Sequence, residues 1–222
     1  DDDTQGGTFG NGDGVLDAGE IVDLLPSLQN FGSEPTPVMS MVLNSLSPYV
    51  TVIDTTATIG DVVPGDTEVA VDAWRIAISS TAPDARLAPF EVTVTEGPLW
   101  WTEAIARVLH APDLELTGLR LSDAPPAGNG DGVIASGEEF LLFCTFKNFG
   151  SGAAHGLSAR LRALDGGSAV IDSLDTFADA GQLEAVENAA GFRLSEANVS
   201  IENALEIVVT DARGVELHHA VE

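Results

Sequence analysis

The chain has 222 residues, enough for one large or two ordinary domains, and 44% of them are hydrophobic, enough for real cores. A formal charge of −26, with one Lys and eight Arg, sets repulsion against nucleic acid and anionic membranes and favours cations as partners. No apolar run nears the ~18 residues of a membrane span, so no membrane insertion is expected, and the lone Cys144 excludes an intrachain disulfide and a cysteine-based zinc site.

The first residues, "DDDTQGG", lack the basic segment and apolar run of a leader, although a mature or excised fragment would look the same. Residues 1–74 hold thirteen Asp and Glu and no Lys, Arg or His, so no ion pair can form within that segment. It contains "GNGDGVLDAGE" (10–20), which returns as "GNGDGVIASGE" (128–138). Shifting the sequence by 118 residues superposes 10–33 on 128–151 without a gap, with 13 of 24 positions identical. The same shift places "VID" at 52–54 on "VID" at 170–172, and "WRI" at Trp74 on "FRL" at Phe192. The repeat therefore spans a domain.

After each acidic loop the letters alternate as a strand with one apolar face. That face carries Val22, Leu24, Pro26 and Leu28 in the first copy, and Phe140, Leu142, Cys144 and Phe146 in the second. Cys144 is then read as a small core residue and not as a reactive thiol. Pro26 cannot donate to a ladder, which predicts an edge strand or a bulge there. Further along come "YVTVID", a "VVPGD" turn, "WRIAISS" and a hairpin at Glu96-Gly97-Pro98, mirrored by a second hairpin at Ala212-Arg213-Gly214. Many short strands with regular turns predict an all-β chain of two tandem immunoglobulin-like β-sandwich domains, residues 1–111 and 112–222. One exception, "FADAGQLEAVENAAGF" (177–192), is read as carrying a short helical turn. The second copy opens with the strand "DLELTGLRL" before its loop, and the first has no counterpart, so its first strand is expected to be missing and the chain to be cut from a longer polypeptide.

The loop, "NFGS", "SPYVTVIDTTATIGDVVPGDT" and "WRIAISSTAPDARLAPFEVTVTEG" resemble an immunoglobulin-like module of large secreted or surface bacterial proteins. The resemblance is to the CARDB or adhesion-type β-sandwiches appended to gingipain-like and other extracellular peptidases. It implies a secreted or cell-surface setting, neighbouring domains of a parent protein as partners, and a non-catalytic role.

The loop itself has the pattern of a calcium site, in which oxygen side chains alternate with spacers and a carboxylate closes the ring. On a twelve-position loop Asn11, Asp13, the Val15 carbonyl, Asp17 and Glu20 take positions three, five, seven, nine and twelve, and Phe9 falls at position one. The missing oxygen must come from upstream, with Asp2 or Asp3 available in the first copy and Asp123 in the second. The second loop offers Asn129, Asp131, Val133 and Glu138, with Ala135 where the first has Asp17 and Glu139 or Ser136 as substitutes. One Ca2+ per domain, held more tightly in the first, is the expectation. The plain alternative is that "NGDG" is only a tight turn and the Glu a strand cap.

Trp100 and Trp101 follow a hairpin and could stack on a sugar, or fill a sandwich end and a domain contact. His218 and His219 are neighbours on a strand and point to opposite faces, His110 and His155 have no visible partner, and "NVS" at Asn198 is a sequon only in a suitable host. No catalytic motif appears, so no enzyme is expected. The sequence reads as a calcium-stabilised spacer or accessory module, with a glycan-binding or adhesive module using Trp100 and Trp101 as the alternative.

Overall fold

In a computed structural model of the chain the described residues are 1–135, 137–164, 169–195 and 205–221. They fall into two compact units, Asp1–Ala111 and Pro112–Glu222, and hold eighteen strands and no helix. Unit 1 contains β1 (Ile21–Leu24), β2 (Ser27–Gln29), β3 (Met39–Ser45), β4 (Val50–Asp54), β5 (Thr56–Ile59), β6 (Thr67–Val69), β7 (Trp74–Ile78), β8 (Arg86–Glu96) and β9 (Leu99–Leu109). Unit 2 contains β10 (Leu114–Ser122), β11 (Glu139–Asn148), β12 (Ser158–Ala163), β13 (Ala169–Asp172), β14 (Leu174–Thr176), β15 (Ala185–Glu187), β16 (Phe192–Ser195), β17 (Leu205–Thr210) and β18 (Glu216–Val221).

Each unit is an immunoglobulin-like sandwich of antiparallel sheets. In unit 2 one sheet runs β10-β11-β16-β13, with β15 also on β11, and the other runs β14-β12-β17-β18. Unit 1 repeats this as β1-β7-β4 and β2-β6 facing β5-β3-β8-β9. The 118-residue spacing persists as far as β7: β5 and β14, β6 and β15, and β7 and β16 all begin that far apart, and the register shifts at β8 and β17. Among the strands of the described residues β10 alone has no counterpart. The backbone of Asp1 instead exchanges two hydrogen bonds with Asp23, both 2.7–2.8 Å, at the position where Ser122 pairs with Leu141 in unit 2.

The alternation read from sequence is the burial observed. Phe140, Leu142, Cys144 and Phe146 are all 2% exposed or less on β11, with Phe177 edge-on to Phe146. In unit 1 Val22 is buried, while Leu24, Pro26 and Leu28 are half-buried, and the strand breaks at Pro26 into β1 and β2. The 177–192 segment forms no helical turn. It carries β15, because Val186 is needed in the core opposite Phe146. Asn198 lies outside the described residues.

Cys144 is fully buried, and burial pushes its thiol up to about 12. At pH 8 the folded chain should therefore give no reaction with a thiol-specific disulfide reagent, and one equivalent in denaturant. Stoichiometric labelling of the native chain would contradict the packing of β11.

The "NFGS" motif proves to be a buried polar node. The Asn148 amide nitrogen donates to the carbonyls of Gly152 (2.8 Å) and Ala180 (3.0 Å), and its oxygen accepts from the Asp113 and Gly150 backbones. Asn30 repeats three of these bonds, to Glu34, Val62 and Gly32. The fourth comes from the residue ahead of β10, and no residue of unit 1 occupies that place.

Candidate metal centres

Each acidic loop connects the upstream chain to the first core strand, and the local conformation follows from its Asn, Asp and Gly residues. In unit 1 the Asn11 side chain accepts from Asp13 N (2.9 Å) and the Asp13 side chain from Val15 N (2.8 Å), each bending the chain by an Asx turn. Gly12 and Gly14 between them lie at φ of 77° and 81°, a region open to glycine at no steric cost. Glu20 closes the loop, taking Asn11 N on one oxygen (3.1 Å) and Asp17 N on the other (3.0 Å).

Unit 2 reproduces the scheme bond for bond. Asn129 accepts from Asp131 N, Asp131 from Val133 N, and Glu138 from Asn129 N and Ala135 N, at 2.8–2.9 Å. The difference lies in the ninth position. Asn11 donates to Asp17 (2.9 Å), whereas Asn129, facing Ala135, turns to Asp131 (3.2 Å).

The upstream oxygen in unit 1 is Asp2, and Asp3 does not reach the loop. Asp2 is buried and accepts from Gly14 N (2.9 Å), as Asp123 does from Gly132 N (2.7 Å). Asp3 instead accepts from Gln5 N and Thr8 in a separate turn. The two upstream segments differ by three residues, so spacing from the loop is no guide. The ladder position of Asp1 against Asp23 sets which carboxylate points inward. Gly10 and Gly128 are required at this contact, because a Cβ on either would collide with the carbonyl oxygen of Asp2 or Asp123. Phe9 offers no ligand: its backbone is bridged to Ile21 and its ring is exposed.

Glu139 is not a substitute ligand either. It is engaged by Arg193 across β11 and β16, as Asp23 is by Arg75 (2.7 Å) across β1 and β7. Ser136 lies outside the described residues. His155, without a visible partner in the sequence, meets Asp179 at 2.9 Å.

Loop 1 is anchored at three further points: Ala18 N to His110 O, His110 N to Leu16 O and Ile78 N to Glu20 O, all 2.8–2.9 Å. Burial pushes the Glu20 carboxyl up to about 7, with repulsion from Asp17 and Asp2 adding to it against the two backbone donors. All the side chains offered are hard oxygen donors, which suits calcium in kind. Among the described residues no three His, Cys, Asp or Glu side chains converge as a metal centre, and the loops are closed by hydrogen bonds.

Trp100 and Trp101 sit side by side on β9 and so face opposite ways. Trp101 packs against the unit 1 core, while Trp100 is 69% exposed, so the two rings form no common platform.

The fold and loops define a tandem all-β module with one acidic loop per sandwich. No family model matches the chain, and no curated protein does. Solved structures similar to it include BspA_C_WT, at 6% identity over 92% of both chains with a TM-score of 0.39. The CupB2 chaperone of Pseudomonas aeruginosa is 11% identical over 93% of this chain and 95% of its own, TM-score 0.27. A protein of unknown function from Porphyromonas gingivalis W83 is 12% identical over 92% of both chains, TM-score 0.26. The assignment of the fold rests on the strand pairing described above.

Proposed function

We propose that the chain is a non-catalytic, calcium-stabilised spacer or accessory module of a larger secreted or cell-surface bacterial protein, with neighbouring domains of that protein as its partners. The observation that supports this reading is the repetition of the loop: the same turn, the same closing Glu and the same upstream Asp recur in both units despite upstream segments of different length. A plain turn needs neither the closing carboxylate nor the upstream one. In unit 1 Asp2, Asn11, Asp13, the Val15 carbonyl, Asp17 and Glu20 would hold the ion; in unit 2 Asp123, Asn129, Asp131, the Val133 carbonyl and Glu138 would. Calcium would supply charge neutralisation for the loop carboxylates, of which Asp17 and Asp2 repel Glu20 in unit 1.

Melting with 5 mM calcium and with EGTA, at fixed magnesium and ionic strength, tests this. A ligand bound only by the folded state stabilises it by RT ln(1 + [L]/Kd), about 2.7 kcal/mol at a hundred times Kd. Superimposable curves would reduce the loops to turns.

The alternative reading, a glycan-binding or adhesive module, is favoured by the exposure of Trp100 beside Leu99, itself 63% exposed. Its test is a glycan array with Trp100→Ala as control, where binding lost in the variant would carry it.

A further inference from the structure

The outward face of the β14-β12-β17-β18 sheet holds a concavity of about 640 Å³, lined by no residue of either acidic loop. Small-molecule sites span roughly 300–1,000 Å³. On β12 Ala159 and Leu161 are buried in the core, so Ser158, Arg160 and Arg162 point the other way, to solvent. The ladders set two rows across the sheet: Ser158, Thr210 and Glu216 lie abreast, and Arg160, Val208 and His218 form the row beside them. Val208 faces outward with them and is 3% exposed, an apolar floor between Arg160 and His218.

The two Arg residues stand apart from most others in this chain. Arg75, Arg120, Arg193 and Arg213 are each held closely by a carboxylate. Among the described residues Arg160 has no such partner, although the chain holds 35 Asp and Glu. Arg162 only approaches Glu206, at 3.9 Å, and His218 already engages that carboxylate at 3.0 Å. The fold does not require these cations, because the matching positions of β3 in unit 1 carry Val42 and Asn44.

We propose that this face binds a saccharide bearing one carboxylate. The carboxylate lies on Arg160, flanked by Arg162, because a guanidinium presents a planar pair of donors matched to its two oxygens. Hydroxyls of the sugar meet Ser158 and Thr210, which both donate and accept, and Glu216, which accepts only, while a C–H face of the ring covers Val208. A simple carboxylic acid would leave those polar groups unpaired. Glu216 and the net charge of −26 act against a polyanion or an acidic peptide, whose further anionic groups meet repulsion with no second open guanidinium site to offset it. The site is independent of Trp100, which belongs to unit 1.

The test is a titration of the full chain with glucuronic acid, followed through backbone amide shifts, in EGTA so that no calcium bound at the loops holds the carboxylate. Shifts should saturate in the millimolar range and centre on residues 158–162 and 208–210. Glucose, and the methyl ester of glucuronic acid, share the ring without the charge and should bind at least tenfold more weakly. Arg160→Met keeps an unbranched stem beside Val208 and drops the guanidinium; it should weaken glucuronate at least tenfold with the melting temperature unchanged. Thr210→Val removes one hydroxyl at nearly constant shape and should weaken it two- to fivefold. The ester comparison uses the unmodified chain, so it decides whether or not a variant folds. No shift at 50 mM glucuronate, equal binding of glucose or the ester, or full binding by Arg160→Met would overturn the inference. Shifts centred on Trp100 would overturn it too, since the sugar would then sit on unit 1.

Discussion

Asn188→Ala should destabilise unit 2 by about 3 kcal/mol, a large effect for one surface-remote amide. Asn188 is 2% exposed, accepts from Cys144 N (2.7 Å) and donates to Asp175 (2.8 Å). Asp175 in turn takes Gly191 N (2.6 Å) and Thr176 N (2.8 Å). Truncation strands a buried N–H, withdraws a donor from a buried carboxylate and leaves a cavity, each costing roughly 1–2 kcal/mol. Unit 1 shows why the network exists. The residues corresponding to Cys144, Asp175 and Asn188 are Pro26, Ala57 and Ala70. Proline has no N–H to satisfy, and both alanines are buried without a polar partner to serve. Cys144→Pro should consequently cost less in the Asn188→Ala background than alone, by about 1–2 kcal/mol in a double-mutant cycle. Strict additivity in chemical denaturation would show that the Cys144 N–H is not what Asn188 serves.

Calcium should bind loop 1 more tightly than loop 2, and calorimetry should resolve two events. Loop 1 presents Asp17 at the ninth position and a buried Glu20, whereas loop 2 has Ala135 and a half-buried Glu138. Affinity rises with the number of charged ligands. Asp13→Asn is a clean probe, because the amide oxygen still accepts from Val15 N and the turn survives while the charge is lost. It should remove the stronger event, and Asp131→Asn the weaker, each leaving the other within a few tenths of a kcal/mol. Ala135→Asp should strengthen loop 2 by roughly tenfold and draw Asn129 away from Asp131, as Asn11 is drawn to Asp17. Equal affinities in the unmodified chain, or no gain from Ala135→Asp, would remove the ninth position from the site.

Much of this molecule is legible in one dimension. A 118-residue period, the alternation of Phe140, Leu142, Cys144 and Phe146, and turn residues at Gly65, Gly97 and Gly214 determine two β-sandwich units, because strand faces and turns are local properties of the chain. The loop pattern likewise implied closure by Glu20 and Glu138, each of which accepts two backbone N–H groups from within the same eleven residues. What tertiary structure alone decided involves partners far apart in sequence. Asp2 and not Asp3 enters loop 1 because Asp1 is held against Asp23, and Glu139 leaves loop 2 because Arg193 holds it from the next strand. Asn148 and Asn188 look like ordinary turn or loop residues, and become structural nodes only when the sheet brings Ala180 and Cys144 to them. Buried backbone groups must be satisfied, and which side chain satisfies them depends on what the fold carries past, a fact no local spacing contains.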